Sequence, residues 1–111
     1  MEREIILSIS QDLIKALESK NGEDIIELDL KERGGLADTF ILVTGNSETH
    51  MKTLVETAEE FLERAGNKCR VEGVNSVRWR LVDAGEIVVH VFSHKGREFY
   101  RLERLWEDVP E

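Results

Sequence analysis

The chain has 111 residues, of which 41% are hydrophobic and 34% charged, and its formal net charge at pH 7 is −8. This length predicts one globular domain, residues 1–111, that can bury a hydrophobic core without disulfides. The negative charge repels phosphate and therefore disfavours broad electrostatic binding to RNA or DNA. The single cysteine, Cys69, cannot form an internal disulfide, and no stretch approaches the roughly 20 apolar residues of a membrane helix. These features predict a cytoplasmic protein.

Hydrophobic periodicity predicts an alternation of helices and strands. The first helix should stop at Asn21-Gly22, and Ser47 is a favourable N-cap for the second helix. The expected elements are, in chain order, a helix over 2–20, strands over 23–30 and 37–44, a helix over 48–65, a short strand over 68–73, strands over 77–82 and 87–92, and a helix over 96–106. This order predicts a single α/β (α+β) domain in which helices flank a mixed five-stranded sheet.

A turn centred on Ala84-Gly85 predicts a hairpin and sets the faces of its two strands. The expected pairs are Asp83 with Glu86, Leu81 with Val88, and Trp79 with His90. Alternation then puts Trp79, Leu81, Val88, His90 and Phe92 on one face, and Arg78, Arg80, Val82, Ile87, Val89 and Val91 on the other. The two arginines predict that the second face is core only towards the turn. Trp79 is either a core residue or, beside His90 at a partly open edge, an anchor for a partner.

The last predicted helix has a packing side and a charged side. Its apolar side contains Phe99, Leu102, Leu105 and Trp106, and the opposite side contains Arg97, Arg101 and Arg104. Tyr100, Glu103 and Glu107 occupy the boundary between the two. This pattern predicts that Phe99 is buried in the core and that Tyr100 belongs to a docking surface.

The segment Thr44–His50, "TGNSETH", is a strand end, a glycine turn and a helix start. Backbone amides there could bind a phosphate, but any tight strand-to-helix connection has the same appearance. Nucleotidyltransferases share this unit and hold two metal ions with a carboxylate pair on the strand after the helix. That strand reads Cys69-Arg70-Val71-Glu72 here, and Glu27 and Asp29, which have the right spacing, precede the helix. The catalytic pair is therefore absent.

Histidine and cysteine spacing does not favour a metal site either. His50, His90 and His94 have no metal-ligand spacing with Cys69, and Cys69 has no evident base beside it in the sequence. A buried thiol is the better interpretation of Cys69. The sequence predicts no catalytic residue, no metal and no cofactor.

Four motifs in order carry a family resemblance: "DIIELDLKERGGLADTFILVTGNSETH", "VEG" with a following tryptophan, "VDAGEIVVHVF" and "REFYRLERLW". Over about residues 24–106 the chain resembles the ribosomal silencing factors (RsfS, also called Iojap-like). The resemblance implies a mixed α/β fold that is related to nucleotidyltransferases but lacks their active site. It also implies a partner, the fourteenth protein of the large ribosomal subunit (uL-fourteen). Family members bound there obstruct joining of the small subunit and lower translation.

The resemblance also implies roles for particular residues. Trp79, Leu81, Tyr100 and Glu103 are expected to contact the partner, and His90 could serve in contact or in packing. The other signature positions, expected to be structural, are Asp38, Gly45, Asp83, Arg97 and Trp106, of which Gly45 and Asp83 should shape turns. Thr39 departs from the family, which often has an aromatic residue there.

Two alternative functions stay open from the sequence. One is a degenerate nucleotidyltransferase-like module that still binds nucleotide, and the other is a dimeric adaptor unrelated to ribosomes. A homodimer of the free protein is also compatible with the resemblance. Direct RNA binding is expected to be slight because of the net charge.

Overall fold

The computed structural model describes residues 3–30 and 38–101. Within these residues the chain forms three helices and five strands: α1 (Arg3–Ser19), β1 (Glu23–Asp29), β2 (Thr39–Gly45), α2 (Glu48–Arg64), β3 (Arg70–Glu72), β4 (Trp79–Asp83), β5 (Ile87–Ser93) and α3 (His94–Tyr100). The expected mixed five-stranded sheet flanked by helices is confirmed. No helix in this described part of the chain is long and apolar enough to cross a membrane.

The strand order in the sheet is β1-β2-β5-β4-β3. The two central neighbours, β2 and β5, run parallel, and Phe40 pairs with Val88 between them. All other neighbours are antiparallel: β1 with β2, β4 with β5, and β3 with β4. The side chains of β2 and β5 are buried on both faces of the sheet except those of Phe40 and Ser93, which are half-buried, so the burial that the apolar run in β2 predicts is largely present.

One face of the sheet is covered by α1 and α2. The core there is aliphatic and consists of Leu13 and Leu17 from α1, Met51, Leu54, Val55, Ala58 and Leu62 from α2, and Ile41, Val43, Val82, Ile87, Val89 and Val91 from the sheet. The α2 residues recur at helical spacing, so one stripe of the helix meets the alternate residues that the strands direct to this side.

The predicted end of α1 and the predicted N-cap of α2 are confirmed. Asn21 adopts a left-handed conformation with φ of 63°, and the Gly22 N–H donates to the Leu17 carbonyl at 2.9 Å, which stops α1. Ser47 caps α2, since its Oγ accepts a hydrogen bond from the His50 N–H at 3.0 Å.

The hairpin register differs from the expected one by two residues. Asp83 pairs with Val88, Leu81 with His90, and Trp79 with Phe92. The turn lies later because Asp83 Oδ1 accepts from the Gly85 N–H at 2.8 Å and Ala84 N–H donates to the Ile87 carbonyl at 2.9 Å. A shift of two residues preserves the side-chain alternation, so the expected division into faces is correct.

The second face of β4 is more buried than expected. The sequence predicts core only towards the turn, yet Arg80 is 7% exposed and lies on the side of the helices. Its Nε donates to the Ser76 carbonyl at 2.7 Å, and this bond keeps the side chain inside. Arg78, before the strand, is exposed.

Helix α3 corrects two expectations. It begins at His94, capped by Ser93, and ends at Tyr100, because Arg101 is left-handed with φ of 46°. Phe99 is 68% exposed and is not a core residue, whereas Arg97 is 9% exposed and is not on a solvated side. The reason lies at Gly96, where a Cβ would be 2.1 Å from the Arg78 carbonyl oxygen, so the helix can only approach the sheet on that side. The expectations for Leu102, Glu103, Arg104, Leu105, Trp106 and Glu107 lie outside the described residues.

Candidate partner-binding face

Aromatic rings collect on the side of the sheet that α1 and α2 leave uncovered. We call the set Phe40, Trp79, His90, Phe92 and Tyr100 the aromatic face. The ring centroids of Phe40 and His90 are 4.5 Å apart, those of Trp79 and Phe92 5.5 Å, and those of Trp79 and Tyr100 4.7 Å. These distances lie in the range of favourable aromatic pairs, so the cluster is packed and not merely adjacent.

The sequence signal for this face is alternation along β4 and β5. It predicts that Trp79, His90 and Phe92 share one side of the sheet, and the structure brings them together there. Leu81 lies on the same side, opposite His90, and is half-buried. Phe40 is missed by sequence reasoning as part of this cluster, since nothing in the apolar run of β2 reveals its parallel register with β5.

Trp79 and His90 are joined by a hydrogen bond. The Trp79 Nε1–H donates to His90 Nδ1 at 3.0 Å, which requires Nδ1 to be unprotonated and puts the proton of a neutral imidazole on Nε2. His90 Nε2 is buried and has no hydrogen-bond partner among the described residues. Burial lowers the pKa of His90 to about 4, against a smaller opposing effect of the Asp83 carboxylate. His90 is therefore a neutral acceptor that fixes the indole at neutral pH.

Exposure increases from the floor of this face to its rim. Phe92 and His90 are 0% and 4% exposed, while Phe40 and Trp79 are half-buried. Tyr100 is 39% exposed. A half-exposed tryptophan and tyrosine on a rigid, buried base are typical of interface anchors, because their apolar area is held in place before a partner arrives.

Contacts at the start of α3 hold Tyr100 over Trp79. Arg97 Nη1 donates to Thr44 Oγ1 at 2.9 Å in a buried position, which ties the helix to β2. Ser93 Oγ accepts from the Gly96 N–H at 3.0 Å. Arg97 thus orients the helix that carries Tyr100 and does not form part of an exposed arginine row.

The remaining signature residues that the structure describes shape the backbone. A Cβ at Gly45 would lie 3.0 Å from Met51 Cγ and 3.1 Å from the Met51 backbone nitrogen, so a side chain there would require the first turn of α2 to move slightly away from the end of β2. Asp83 caps the hairpin turn through Gly85, as expected for a turn residue. The Asp38 N–H donates to the Glu86 carbonyl at 2.9 Å. Glu103 and Trp106 lie outside the described residues.

Thr39, the departure from the family pattern, is buried at 5% exposure. Its N–H donates to the Glu86 carbonyl at 3.0 Å, the same acceptor that Asp38 uses. The position therefore belongs to the junction between β2 and the hairpin turn.

The other residues considered as candidate ligands or catalysts form local hydrogen bonds. His50 Nδ1 accepts from the Asn46 N–H at 2.8 Å, and His94 Nε2 lies 2.9 Å from Asn46 Oδ1. Glu27 accepts from Ser10 Oγ at 2.5 Å on the side of the helices. Within the described residues, no group of three or more His, Cys, Asp and Glu side chains could hold a metal ion.

Cys69 is half-buried, and burial, helped by the nearby carboxylates of Glu63 and Glu59, raises the pKa of its thiol. Because the thiolate is the nucleophilic form, these surroundings keep Cys69 in its unreactive form at neutral pH.

Comparison with known proteins identifies the family. A model of the family described as "Ribosomal silencing factor during starvation" matches residues 5–111. The ribosomal silencing factor RsfS of Chromobacterium violaceum is 41% identical over 102 residues, covering 91% of this chain and 84% of the relative. The corresponding protein of Bacillus subtilis is 35% identical over 111 residues, covering 99% of this chain and 92% of the relative.

A solved structure is similar over the whole length. The crystal structure of a Chromobacterium violaceum protein superposes with a TM-score of 0.87 at 39% identity, covering 100% of this chain and 91% of that one. Sequence match and fold therefore agree. The chain belongs to the ribosomal silencing factor family.

Proposed function

We propose that this protein binds the large ribosomal subunit through uL-fourteen and, once bound, blocks association with the small subunit. Its aromatic face is the docking surface in this proposal. The observation that carries it is the arrangement of Trp79 and Tyr100, half-exposed and 4.7 Å apart, on a buried base of His90 and Phe92. Membership of a family named for ribosomal silencing supports the choice of the ribosome as partner.

Individual roles follow from burial. Trp79, Leu81 and Tyr100 have apolar area left to offer and are proposed to contact the partner. His90 is nearly fully buried, so its proposed role is to hold the Trp79 indole through Nδ1. Glu103 is retained as a proposed contact on the family resemblance alone.

Charge favours a protein partner over RNA. At a net charge of −8 the chain repels phosphate, whereas a basic ribosomal protein would attract it. The same charge would oppose the RNA of an approaching small subunit, although salt screens that repulsion beyond about 8 Å at physiological ionic strength. Steric blocking is therefore the main effect, and charge reinforces it.

The proposal includes no catalysis and no nucleotide. The carboxylate pair that a two-metal transferase needs is missing after α2, where β3 has Arg70, Val71 and Glu72. The proposed protein acts in the cytoplasm. When it is not bound to a ribosome, the same aromatic face could hold two copies together as a homodimer. Sedimentation velocity of the purified protein measures that dimer.

Sucrose-gradient sedimentation tests the function. The protein should run with isolated large subunits, should be absent from joined ribosomes, and should keep added small subunits in their own peak. Trp79→Ala should lose both effects because it removes the central ring of the aromatic face. The control is Val74→Ala, which changes a 63% exposed apolar residue outside the aromatic face and should behave as wild type.

Salt dependence separates the partner classes. Binding to a basic protein through a limited patch should weaken modestly between low and moderate salt. Six or more phosphate contacts would instead lose about a thousandfold or more over the same range. Tight binding to ribosomal RNA stripped of protein, or unchanged subunit joining in the presence of saturating protein, would refute the proposal.

A further inference from the structure

A groove lies on the opposite side of the sheet from the aromatic face, between α2 and the β3–β4 edge. Val55, Val71 and Arg80 line it from the core, and Val74 and Asn75 line it from the connection between β3 and β4. The polar residues of α2 complete it: Glu48, Thr49, Lys52, Glu56 and Glu59. None of these residues belongs to the surface proposed for the ribosome.

Arg80 is the unusual member of this groove. The residue is 7% exposed, and its Nε is satisfied by the Ser76 carbonyl at 2.7 Å. Among the residues that the structure describes, neither Nη1 nor Nη2 has an acceptor, and no carboxylate forms an ion pair with the guanidinium. The guanidinium is not fully desolvated, since its terminal nitrogens are not among the buried polar atoms that lack a partner. Its two terminal nitrogens therefore present a planar fork of donors that matches a carboxylate.

The charges along α2 restrict which chemical class of ligand the groove can bind. Lys52 adds a second cation to Arg80, whereas Glu48, Glu56 and Glu59 add three carboxylates to the same groove. A multiply charged phosphate would be attracted by the first pair and repelled by the three acids. Glu56 and Glu59 lie four and seven positions beyond Lys52, which corresponds to about 6 and 10 Å along a helix. A ligand with a carboxylate at one end and a cation at the other is attracted at both ends.

We propose that this groove binds a small zwitterion, with its carboxylate on Arg80 and Lys52 and its cationic group on Glu56 or Glu59. Free lysine and arginine carry an α-carboxylate and an α-ammonium at one end of a flexible chain and a side-chain cation at the other end. Val55 and Val71 offer apolar contact to the methylene groups between the charges.

Titration of the full-length protein with L-arginine, followed by amide chemical shifts, tests this site. Residues of α2 and β4 should shift and saturate with a dissociation constant in the millimolar range or below. Agmatine, which is arginine without the carboxylate, and inorganic phosphate should each bind at least tenfold more weakly. Arg80→Met keeps the aliphatic stem and should also weaken L-arginine at least tenfold. Arg64→Met is the matched control and should leave the affinity for L-arginine unchanged. Arg64 is exposed at the end of α2, outside the groove, and pairs with Glu60.

A second variant guards against a folding defect at Arg80. The double variant Glu56→Gln, Glu59→Gln leaves the core intact. It should lower the affinity for L-arginine without lowering the affinity for acetate. Absence of saturable shifts with L-arginine would overturn the site. Equal binding of phosphate and L-arginine would overturn the zwitterion, and unchanged binding in Arg80→Met would overturn the role of the guanidinium. Subunit joining is measured separately, so failure here leaves the ribosomal function standing.

Discussion

The two faces of the sheet use their apolar residues differently. On the helix side, α1 and α2 cover the aliphatic residues of β2, β4 and β5, and Ile41, Val82 and Val89 are fully buried. On the other side, Phe92 is fully buried but Trp79 is half-buried and Tyr100 is 39% exposed. Neighbouring residues of the same strand thus differ in burial, because their side chains lie on opposite faces of the sheet. The helix side buries its apolar area in the core, and the aromatic face leaves part of its apolar area exposed, which is the part we propose for a partner.

The largest expected effect comes from the helix side. Leu54 is 0% exposed at the contact of α2 with the sheet, so Leu54→Ala should lower the free energy of unfolding by about 2 to 5 kcal/mol. Urea denaturation measures it. The fraction that remains folded should still bind large subunits with wild-type affinity. Loss of that affinity in folded protein would mean that the two faces are not independent.

A pH effect should follow from His90 on the aromatic face. Burial lowers the pKa of His90 to about 4, so between pH 6.5 and 4 the unfolded chain binds this proton more readily than the folded chain does. Stability from this residue is present above pH 6.5 and is lost as pH falls towards 4. Between pH 7 and 4.5 the wild type should lose roughly 2 to 3 kcal/mol more than His90→Gln, which does not titrate. Parallel losses in the two proteins during urea denaturation would show that His90 is not the responsible group.

Tyr100 tests the rim of the aromatic face. Tyr100→Ala should weaken large-subunit binding by about 2 kcal/mol, or roughly thirtyfold, and should change the melting temperature little because the ring is partly exposed. Tyr100→Phe keeps the ring and is the matched control, with affinity close to wild type. A melting temperature that falls together with affinity in Tyr100→Ala would assign the ring to the fold and not to the partner.

The smallest expected effect concerns Phe99. Its ring is 68% exposed and contacts Tyr100 edge-on at a centroid distance of 5.0 Å. Phe99→Ala should change the free energy of unfolding by no more than about 0.5 kcal/mol, as exposed substitutions usually do. Thermal melting checks this. A loss of several kcal/mol would restore Phe99 to the core, where the helical periodicity alone would put it.

The hairpin and α3 show what the sequence could and could not predict. Side-chain alternation survives a shift of two residues, so the faces of Trp79 and His90 were predictable while their register was not. Helical periodicity does not determine with the same certainty which side of a helix faces the sheet. The sequence alone favours Phe99 for the inner side of α3, and only the close approach of Gly96 to the Arg78 carbonyl puts Arg97 there instead.

In each of the two candidate sites, some features could be predicted from the sequence and others could not. Trp79 and Tyr100 could be proposed as partner contacts from the sequence, because four motifs in order resemble a known family, and that role stays a prediction. The contribution of Phe40 depends on the parallel register of β2 with β5, which no local pattern carries. Arg80 was recognisable as an interruption of an aliphatic row, but its burial depends on Ser76 and on the cover that α2 provides.

The parallel pairing of β2 with β5 determines when this protein can fold as it is synthesised. Phe40 leaves the ribosome long before its neighbour Val88, and β5 also separates β2 from β4 in the sheet. Until Ile87–Ser93 has emerged, α1 and α2 can pack only on the ribbon of β1 and β2, with the centre of the sheet missing. Pairings between residues so distant in the chain make folding slow. The nascent chain therefore cannot form the aromatic face before its fifth strand is in place. If that face is the docking surface, as we propose, the chain cannot bind the ribosome that is translating it before that point.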